Sequence, residues 1–200
     1  MEWFDAHRSE ETRQRGGDLR EADYTVYWSY DLKPLAAVAE VGWIAETFPQ
    51  RCGDAFFTHE WYVAIGFDDA KWFGAKAPVL SPYLVYYRDV DDFGGGRIEF
   101  QVSHVFAPAD LGTAATAFLK DVYVTPSLLV SVDNRQLTGA TRVAFLRWGI
   151  ETTYDLSAAL KLPPKSGRLG ITAFLYYRDS LVDDLLQDRL YGGVSFGYAW

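Results

Sequence analysis

The feature that most constrains the fold of this chain is an alternation of apolar and polar residues with a period of two. In the segment RIEFQVSHVF, the polar Arg97 and Glu99 alternate with the apolar Ile98 and Phe100. Successive side chains of a β-strand point to opposite faces, so strict alternation over this length indicates a half-buried strand. The same pattern recurs along most of the sequence, which therefore predicts an all-β fold.

The alternation predicts nine strands joined by polar or glycine- and proline-rich connectors, in an antiparallel up-and-down order. The predicted ranges are 23–32, 34–47, 57–68, 80–90, 95–106, 121–133, 144–161, 168–178 and 189–200. Residues 1–6 predict the stub of a further strand, so that about ten strands are expected in all. The rest of 1–22 is predicted to be a polar loop. The 107–121 segment predicts one helical turn. The length of 200 residues favours a single domain over 1–200.

Charge and cysteine content argue against several classes of protein. The chain has 19 Lys and Arg residues against 27 Asp and Glu residues, a net charge of -8, which argues against a nucleic-acid-binding surface. The single cysteine, Cys52, excludes an intramolecular disulfide and leaves too few ligands for a cysteine zinc site. No stretch approaches the roughly 18 apolar residues of a transmembrane helix. The N-terminal segment lacks the apolar core of a signal peptide.

One face of the predicted strands carries no charged residue. Its members include Tyr24, Val26, Trp28, Tyr30, Val41, Trp43, Trp61, Val63, Tyr83, Val85, Tyr87, Ile98, Phe100, Leu128, Trp148, Ile150, Leu175, Val194 and Phe196. A basic residue at the lipid-facing midplane of a membrane barrel costs roughly 2–4 kcal/mol, so lipid contact requires such a face. Aromatic residues near the ends of the rows are typical of the two membrane interfaces. The alternative is a soluble, lipocalin-like ligand-binding β-barrel with this face inside.

Four stretches, taken in order, resemble strands of the TorF-type porin family, outer-membrane β-barrels of Gram-negative bacteria. They are EWYVAIGFDD at 60–69, LSPYLVYYRDVDDFGGGRIEFQVSHVF at 80–106, YDLSAALKLP at 154–163 and LYGGVSFGYAW at 190–200. The last stretch is also similar to the C-terminal strand signal that the outer-membrane assembly machinery recognises, carried here by Val194, Phe196, Tyr198 and Trp200.

The resemblance implies a transmembrane β-barrel of about twelve strands, an even number as in other bacterial barrels. It implies the bacterial outer membrane as the location, with the lipid bilayer and the assembly machinery as partners. It also implies a cleaved secretion signal and no established substrate. Relative to the family pattern, the signal and the first strand or two are missing from this sequence, so closure of the barrel is an open question.

The motif Tyr-Tyr-Arg-Asp occurs twice, in SPYLVYYRDVDDFGGG and in TAFLYYRDSLVDDLL. If Trp200 ends in the periplasm, as the resemblance implies, both copies end outward-running strands. We interpret the repeat as two equivalent strand ends and not as a duplicated site. Tyr87 and Tyr177 are then expected at the outer membrane interface, and Arg88 and Arg178 are expected to turn into the mouth of the barrel.

The polar faces of the strands predict the inside of the barrel. The predicted pore-lining residues are Glu40, Glu46, Glu60, Arg88, Arg97, Glu99, Arg147, Glu151, Asp155 and Arg178. With Asp31, Asp68, Asp133 and Lys161 added, the inward set has nine acidic and five basic residues, which predicts a mild cation preference. Acids and bases across a narrow mouth would create a transverse field that selects solutes. The alternative is that these charges pair and fill a small barrel without a channel.

The sequence offers no convincing catalytic, cofactor or metal site. Ser103 and His104 are neighbours on a predicted strand and point to opposite faces, so they cannot form a dyad. His59 is expected to be an interfacial ring, and the acidic DVDD stretch lacks the ligand spacing of a calcium loop. The sequence therefore predicts a membrane barrel that is not an enzyme and that acts as a porin-like passive channel for small solutes or ions.

Overall fold

The computed structural model describes residues 22–48, 56–91, 94–112, 119–135, 139–182 and 186–199. Within these residues nine strands form one sheet in which each strand pairs with its neighbours in chain order. The strands are β1 Ala22–Leu32, β2 Ala37–Phe48, β3 Phe56–Phe67, β4 Tyr83–Asp89, β5 Gly96–Ser103, β6 Val122–Asn134, β7 Thr141–Asp155, β8 Arg168–Ser180 and β9 Arg189–Ala199. The predicted all-β, antiparallel, up-and-down class is confirmed. The further strand predicted at residues 1–6 lies outside the described residues.

The helical elements are short and lie between strands. In the part of the chain that the structure describes they include α1 Ala70–Phe73, α2 Leu156–Ala159 and 3-10 helices at Lys33–Leu35, Pro108–Leu111 and Pro164–Ser166. In the described ranges, no helix has the length and apolar character needed to cross a membrane.

Four strands are shorter than the alternation predicts, and a capping aspartate and a proline set the changed ends of two of them. The predicted strand 144–161 stops at Asp155, whose carboxylate accepts the backbone N–H of Ala158 at 2.9 Å and caps α2. The predicted strand 34–47 begins only at Ala37, because Pro34 lies in a 3-10 turn that closes at the left-handed residue Ala36.

A buried carboxylate organises the connector between β3 and β4. Asp69 is fully buried and accepts the backbone N–H groups of Val79 and Leu80, each at 2.7 Å, and that of Ser81 at 3.4 Å. Burial alone would raise the pKa of this carboxyl, but the backbone donors of Leu80, Val79 and Ser81 outweigh burial and lower the pKa of Asp69. These hydrogen bonds keep residues 80–82 in the connector, so β4 begins at Tyr83 and not at residue 80 as the alternation predicts.

The chain divides into two compact units. Unit 1 comprises Met1–Gly66, Leu84–Glu99 and Ser131–Val143, and unit 2 comprises Phe67–Tyr83, Phe100–Val130 and Ala144–Trp200. In unit 1, Gly42 lies beneath the ring of Tyr62, and a Cβ at Gly42 would meet that ring at 2.2 Å. In unit 2, Gly149 lies beneath Tyr176 in the same way. In both units a glycine on one strand thus lets a tyrosine of the next strand lie flat over the sheet.

Candidate functional site

The exposed rows of the strands are apolar. Trp61 is 49% exposed, Ile150 is 44% exposed and Phe196 is 74% exposed, whereas Glu99 and Asp155 on the opposite rows are partly buried. A sheet that meets water on one side normally turns its polar face outward. The distribution in the described strands is inverted relative to that rule, and it agrees with the predicted charge-free face at these positions.

The exposed side chains of β7, β8 and β9 form an apolar band with aromatic residues near its two ends. At one end Trp148 lies opposite Tyr177, with ring centroids 5.1 Å apart. At the other end Leu169 lies opposite Tyr198. Tyr177 and Leu169 are eight residues apart on β8, which corresponds to about 26 Å along the strand at about 3.3 Å per residue. At a tilt of about 40° the band is about 20 Å high, close to the ~25 Å apolar band of a membrane barrel.

The two rows of side chains on β4 lie on the opposite faces of the sheet from those predicted. Val85 is buried, and the ring of Tyr87 lies 5.9 Å from that of Tyr62 and 4.5 Å from the guanidinium carbon of Arg97. Arg88 is exposed on the other face. The predictions that Arg88 faces the interior and that Tyr83, Val85 and Tyr87 form the outward row of β4 are therefore wrong.

The physical reason is that residues 83–87 are apolar or aromatic at every position, so alternation does not distinguish the two faces of β4. The end of the strand decides instead. Asp89 is buried and accepts the hydroxyl of Thr58 on β3 at 2.7 Å, which turns the odd-numbered row of β4 inward. The two Tyr-Tyr-Arg-Asp copies thus end strands as predicted but face opposite ways, since Tyr177 lies on the exposed row and Arg178 on the buried one.

Unit 1 carries an acidic cluster on its buried rows. Its members are Glu40, Glu60, Asp89, Glu99 and Asp133. Among the described Lys and Arg residues of unit 1, Arg97 is the one whose side chain is not exposed. Its Nε lies 3.0 Å from a carboxylate oxygen of Glu99 and its Nη2 lies 3.8 Å from one of Glu60. Five carboxylates and one guanidinium on these rows give this part of the sheet a negative charge.

Unit 2 carries basic and aromatic side chains on its buried rows. The guanidinium carbon of Arg147 lies 4.8 Å from the ring centroid of Tyr176, and its Nη2 donates to the amide oxygen of Gln101 at 3.4 Å. The hydroxyl of Tyr176 donates to the carboxylate of Glu151. Arg178 lies on the same face of the sheet as Arg147, directly opposite it in the register. The structure therefore brings together three predicted residues, Arg147, Glu151 and Arg178, in unit 2.

The remaining predicted residues have other positions. Glu46 belongs to β2, but its side chain lies outside the described part. Asp155 caps α2, and Asp31, Asp68 and Lys161 are exposed at or beyond strand ends. Of the predicted assembly signal, Val194, Phe196 and Tyr198 share the exposed row of β9, and Trp200 lies outside the described residues.

The two described histidines have partners that the sequence did not reveal. The Nδ1 of His59 lies 2.5 Å from a carboxylate oxygen of Asp91, and its ring lies 5.1 Å from that of Trp43. The Nδ1 of His104 donates to the backbone carbonyl of Val79 at 2.6 Å. Within the described ranges no group of His, Cys, Asp and Glu residues is arranged to hold a metal ion. The acidic connector after β4 was the one signal that could have suggested a partner for His59.

Arg189 is a charged residue that the sequence-based set omitted. It is the first residue of β9 and lies directly opposite Arg178 on the same face. Its row of β9 continues with Tyr191, Gly193 and Ser195, which are less exposed than Leu190 and Val194 on the other row. The alternation of β9 assigns Arg189 to the inward row, so the sequence pattern alone could have found it.

Comparisons of the chain with protein-family models, with curated proteins and with solved structures find no match. Support for a function therefore comes from the exposed apolar rows and from the two charged groups on the buried rows, one in each unit.

Proposed function

We propose that this chain is an outer-membrane β-barrel protein that acts as a porin-like passive channel for small solutes or ions. The observation that carries the proposal is the exposure of the apolar rows, as at Trp61, Ile150 and Phe196, while carboxylates such as Glu60 are buried. Lipid is the surrounding that makes such an inverted distribution favourable, because it accepts apolar side chains and rejects charge.

The positions of the exposed charges support this reading. In the described strands, exposed charged side chains occur only within two residues of a strand end, at Asp31, Arg88, Arg142 and Arg168. A charge near the membrane interface costs only about 0–1 kcal/mol, against roughly 2–4 kcal/mol for a basic residue at the midplane. A long arginine side chain can also extend its guanidinium to the headgroups.

The alternative, a soluble ligand-binding barrel, requires the apolar rows to line an interior pocket. The exposure of the rows and the height of the apolar band on β7 to β9 favour the membrane proposal over that alternative.

A passive channel is supported by the polar character of the buried rows, which is the usual lining of a water-filled barrel. Unit 1 contributes an excess of carboxylates and unit 2 contributes arginines. The resemblance of the sequence to TorF-type porins points the same way. Solute selection by charge would follow from such linings, and the cation preference expected from the inward charges stays a prediction.

The experiment has two stages. The purified chain is first mixed with phospholipid vesicles, and flotation in a density gradient measures membrane association. It is then added to a planar bilayer, where we expect stepwise conductance increases and a reversal potential in a salt gradient that reports ion preference. Chain that stays in solution without detergent and does not float would contradict the membrane proposal. Chain that floats but never conducts would contradict the channel alone.

A further inference from the structure

Three arginines on neighbouring strands of unit 2 lie side by side. Arg147 on β7 is directly opposite Arg178 on β8, and Arg178 is directly opposite Arg189 on β9. Side chains that are directly opposite in an antiparallel pair share a face, with Cβ atoms about 4.5–5.5 Å apart. All three positions are on the partly buried rows. Because arginine stays protonated in proteins, this arginine row places three positive charges together.

Like charges directly opposite each other destabilise a sheet, so the pair of Arg147 and Arg178 calls for a compensating group. Among the described residues, neither Arg147 nor Arg178 forms an ion pair with a carboxylate. The guanidinium of Arg147 lies over the ring of Tyr176 and donates a hydrogen bond to the amide oxygen of Gln101. Arg178 has the ring of Phe145, 5.8 Å from its guanidinium carbon, and the backbone carbonyl of Gln187 at 3.5 Å. These partners are neutral, so within the described residues no carboxylate pairs with the guanidinium of Arg147 or of Arg178.

Glu151 is an acidic residue of unit 2 on this face, two positions further along the same row of β7 as Arg147, and it accepts the hydroxyl of Tyr176. Within the described residues it forms no ion pair with Arg147 or Arg178. The Nε atoms of Arg147 and Arg178 are buried and have no hydrogen-bond acceptor within the described part of the chain. A buried donor without an acceptor is costly, and its presence calls for an ion or another group as partner.

We propose that the arginine row of Arg147, Arg178 and Arg189 binds an oxyanion, the phosphate or carboxylate group of a small solute. The planar N–H fork of a guanidinium matches the oxygen spacing of both groups, and hydrogen bonds between opposite charges are the stronger kind. A small solute is indicated because the row is partly buried beneath the rings of Tyr176 and Phe145. The site depends on the register of β7 to β9 and requires neither a membrane nor a conducting pore.

The test is calorimetric titration of the purified full chain, in the detergent that keeps it monodisperse, with inorganic phosphate and separately with succinate. We expect saturable binding of at least one of the two anions. Binding of phosphate alone would show that the site is specific for phosphate groups, and binding of succinate alone would show that it is specific for carboxylates. Binding of both would show that it accepts oxyanions in general. Each of these three results supports the proposal, and the absence of saturable binding of either anion overturns it.

Variants locate the site. Arg178→Gln removes the central charge, and Arg147→Gln removes a flanking one, and each is expected to weaken binding by about tenfold or more. Arg168→Gln is the matched control, because it removes the same charge from the exposed start of the same strand. We expect that control to leave the affinity within about twofold of the wild type. Equal weakening by Arg168→Gln would mean diffuse attraction and no site.

A second readout does not depend on the ligand. Because Arg178→Gln relieves repulsion between neighbours, its thermal unfolding midpoint without phosphate or succinate should equal or exceed that of the wild type. A markedly lower midpoint would contradict the uncompensated charge on which the site is based. Arg178→Lys keeps the charge and loses the fork, so it should bind more weakly than wild type and more tightly than Arg178→Gln. Binding in detergent and conductance in a bilayer are separate measurements, so failure of one leaves the other interpretable.

Discussion

Replacement of Ala173 by arginine tests what surrounds the apolar band. Ala173 is exposed on β8, four residues from Tyr177 at one end of the band and four from Leu169 at the other. Its cross-strand neighbours on the two sides are Thr152 and Val194. The position is therefore at mid-height of the band, where a basic residue in contact with hydrocarbon costs the most.

The expected magnitudes differ between lipid and water. In lipid, Ala173→Arg should reduce the free energy of unfolding by roughly 2–4 kcal/mol. In water, the same change at an exposed site with no buried partner should stay within about 0.5 kcal/mol. The exposed Ala158 in α2 provides the matched control, since Ala158→Arg makes the same chemical change outside the strands. We expect a cost of about 0–1 kcal/mol there.

The assay is equilibrium unfolding in denaturant of the protein refolded into phospholipid vesicles, followed by tryptophan fluorescence. A free-energy difference between Ala173→Arg and Ala158→Arg of less than about 1 kcal/mol would refute the reasoning, because it would mean that the middle of the band and a position outside the strands have the same surroundings.

Three further predictions concern stability and ionisation. Arg97→Gln leaves the carboxylates around it without their guanidinium and should cost about 3 kcal/mol in denaturant unfolding, whereas Arg88→Gln, at an exposed position, should cost at most about 0.5 kcal/mol. Gly149→Ala should destabilise by about 1–3 kcal/mol, measured in the same way, because its Cβ would lie 2.4 Å from a backbone carbonyl of β8. The lowered pKa of Asp69 means that its carboxylate stabilises the connector above the ordinary aspartate value of 3.8 and that this stability is lost as the pH falls through the lower folded-state value. In an NMR titration the Leu80 amide proton should shift with a midpoint below pH 3.8, and this transition should be absent in Asp69→Asn.

Most strands were predictable because they pair a charge-free row with a polar one. Thr141–Asp155 and Arg189–Ala199 agree with the alternation within a few residues, apart from the C-terminal end of the former. That end was not predictable, because Asp155 fits the polar row of a strand as well as the cap of a helix. The face of β4 was not predictable either, since its two rows are equally apolar and the hydrogen bond from Thr58 to Asp89 joins residues 31 positions apart.

The charged groups were predictable in part. The polar rows placed Glu60, Arg97 and Glu99 on one face of the sheet, and the structure adds that Arg97 lies within 4 Å of both carboxylates. The alignment of Arg147 with Arg178 and Arg189 depends on the register between strands. Register follows from the geometry of the connecting turns, and the connectors between β7, β8 and β9 are too long for their sequences to specify it.

The central claim is that hydrocarbon contacts the exposed apolar rows. Spin labels on the two opposite faces of β7 test it most directly. Labels would be placed at Ile150 on the exposed row and at Thr153 on the buried row, in a chain whose Cys52 is replaced by serine. In phospholipid vesicles, the label at 150 should collide freely with dissolved oxygen and little with a water-soluble nickel chelate, and the label at 153 should show less oxygen contact. Ready collision of the nickel chelate with the label at 150 would contradict the account, because the row would then face water.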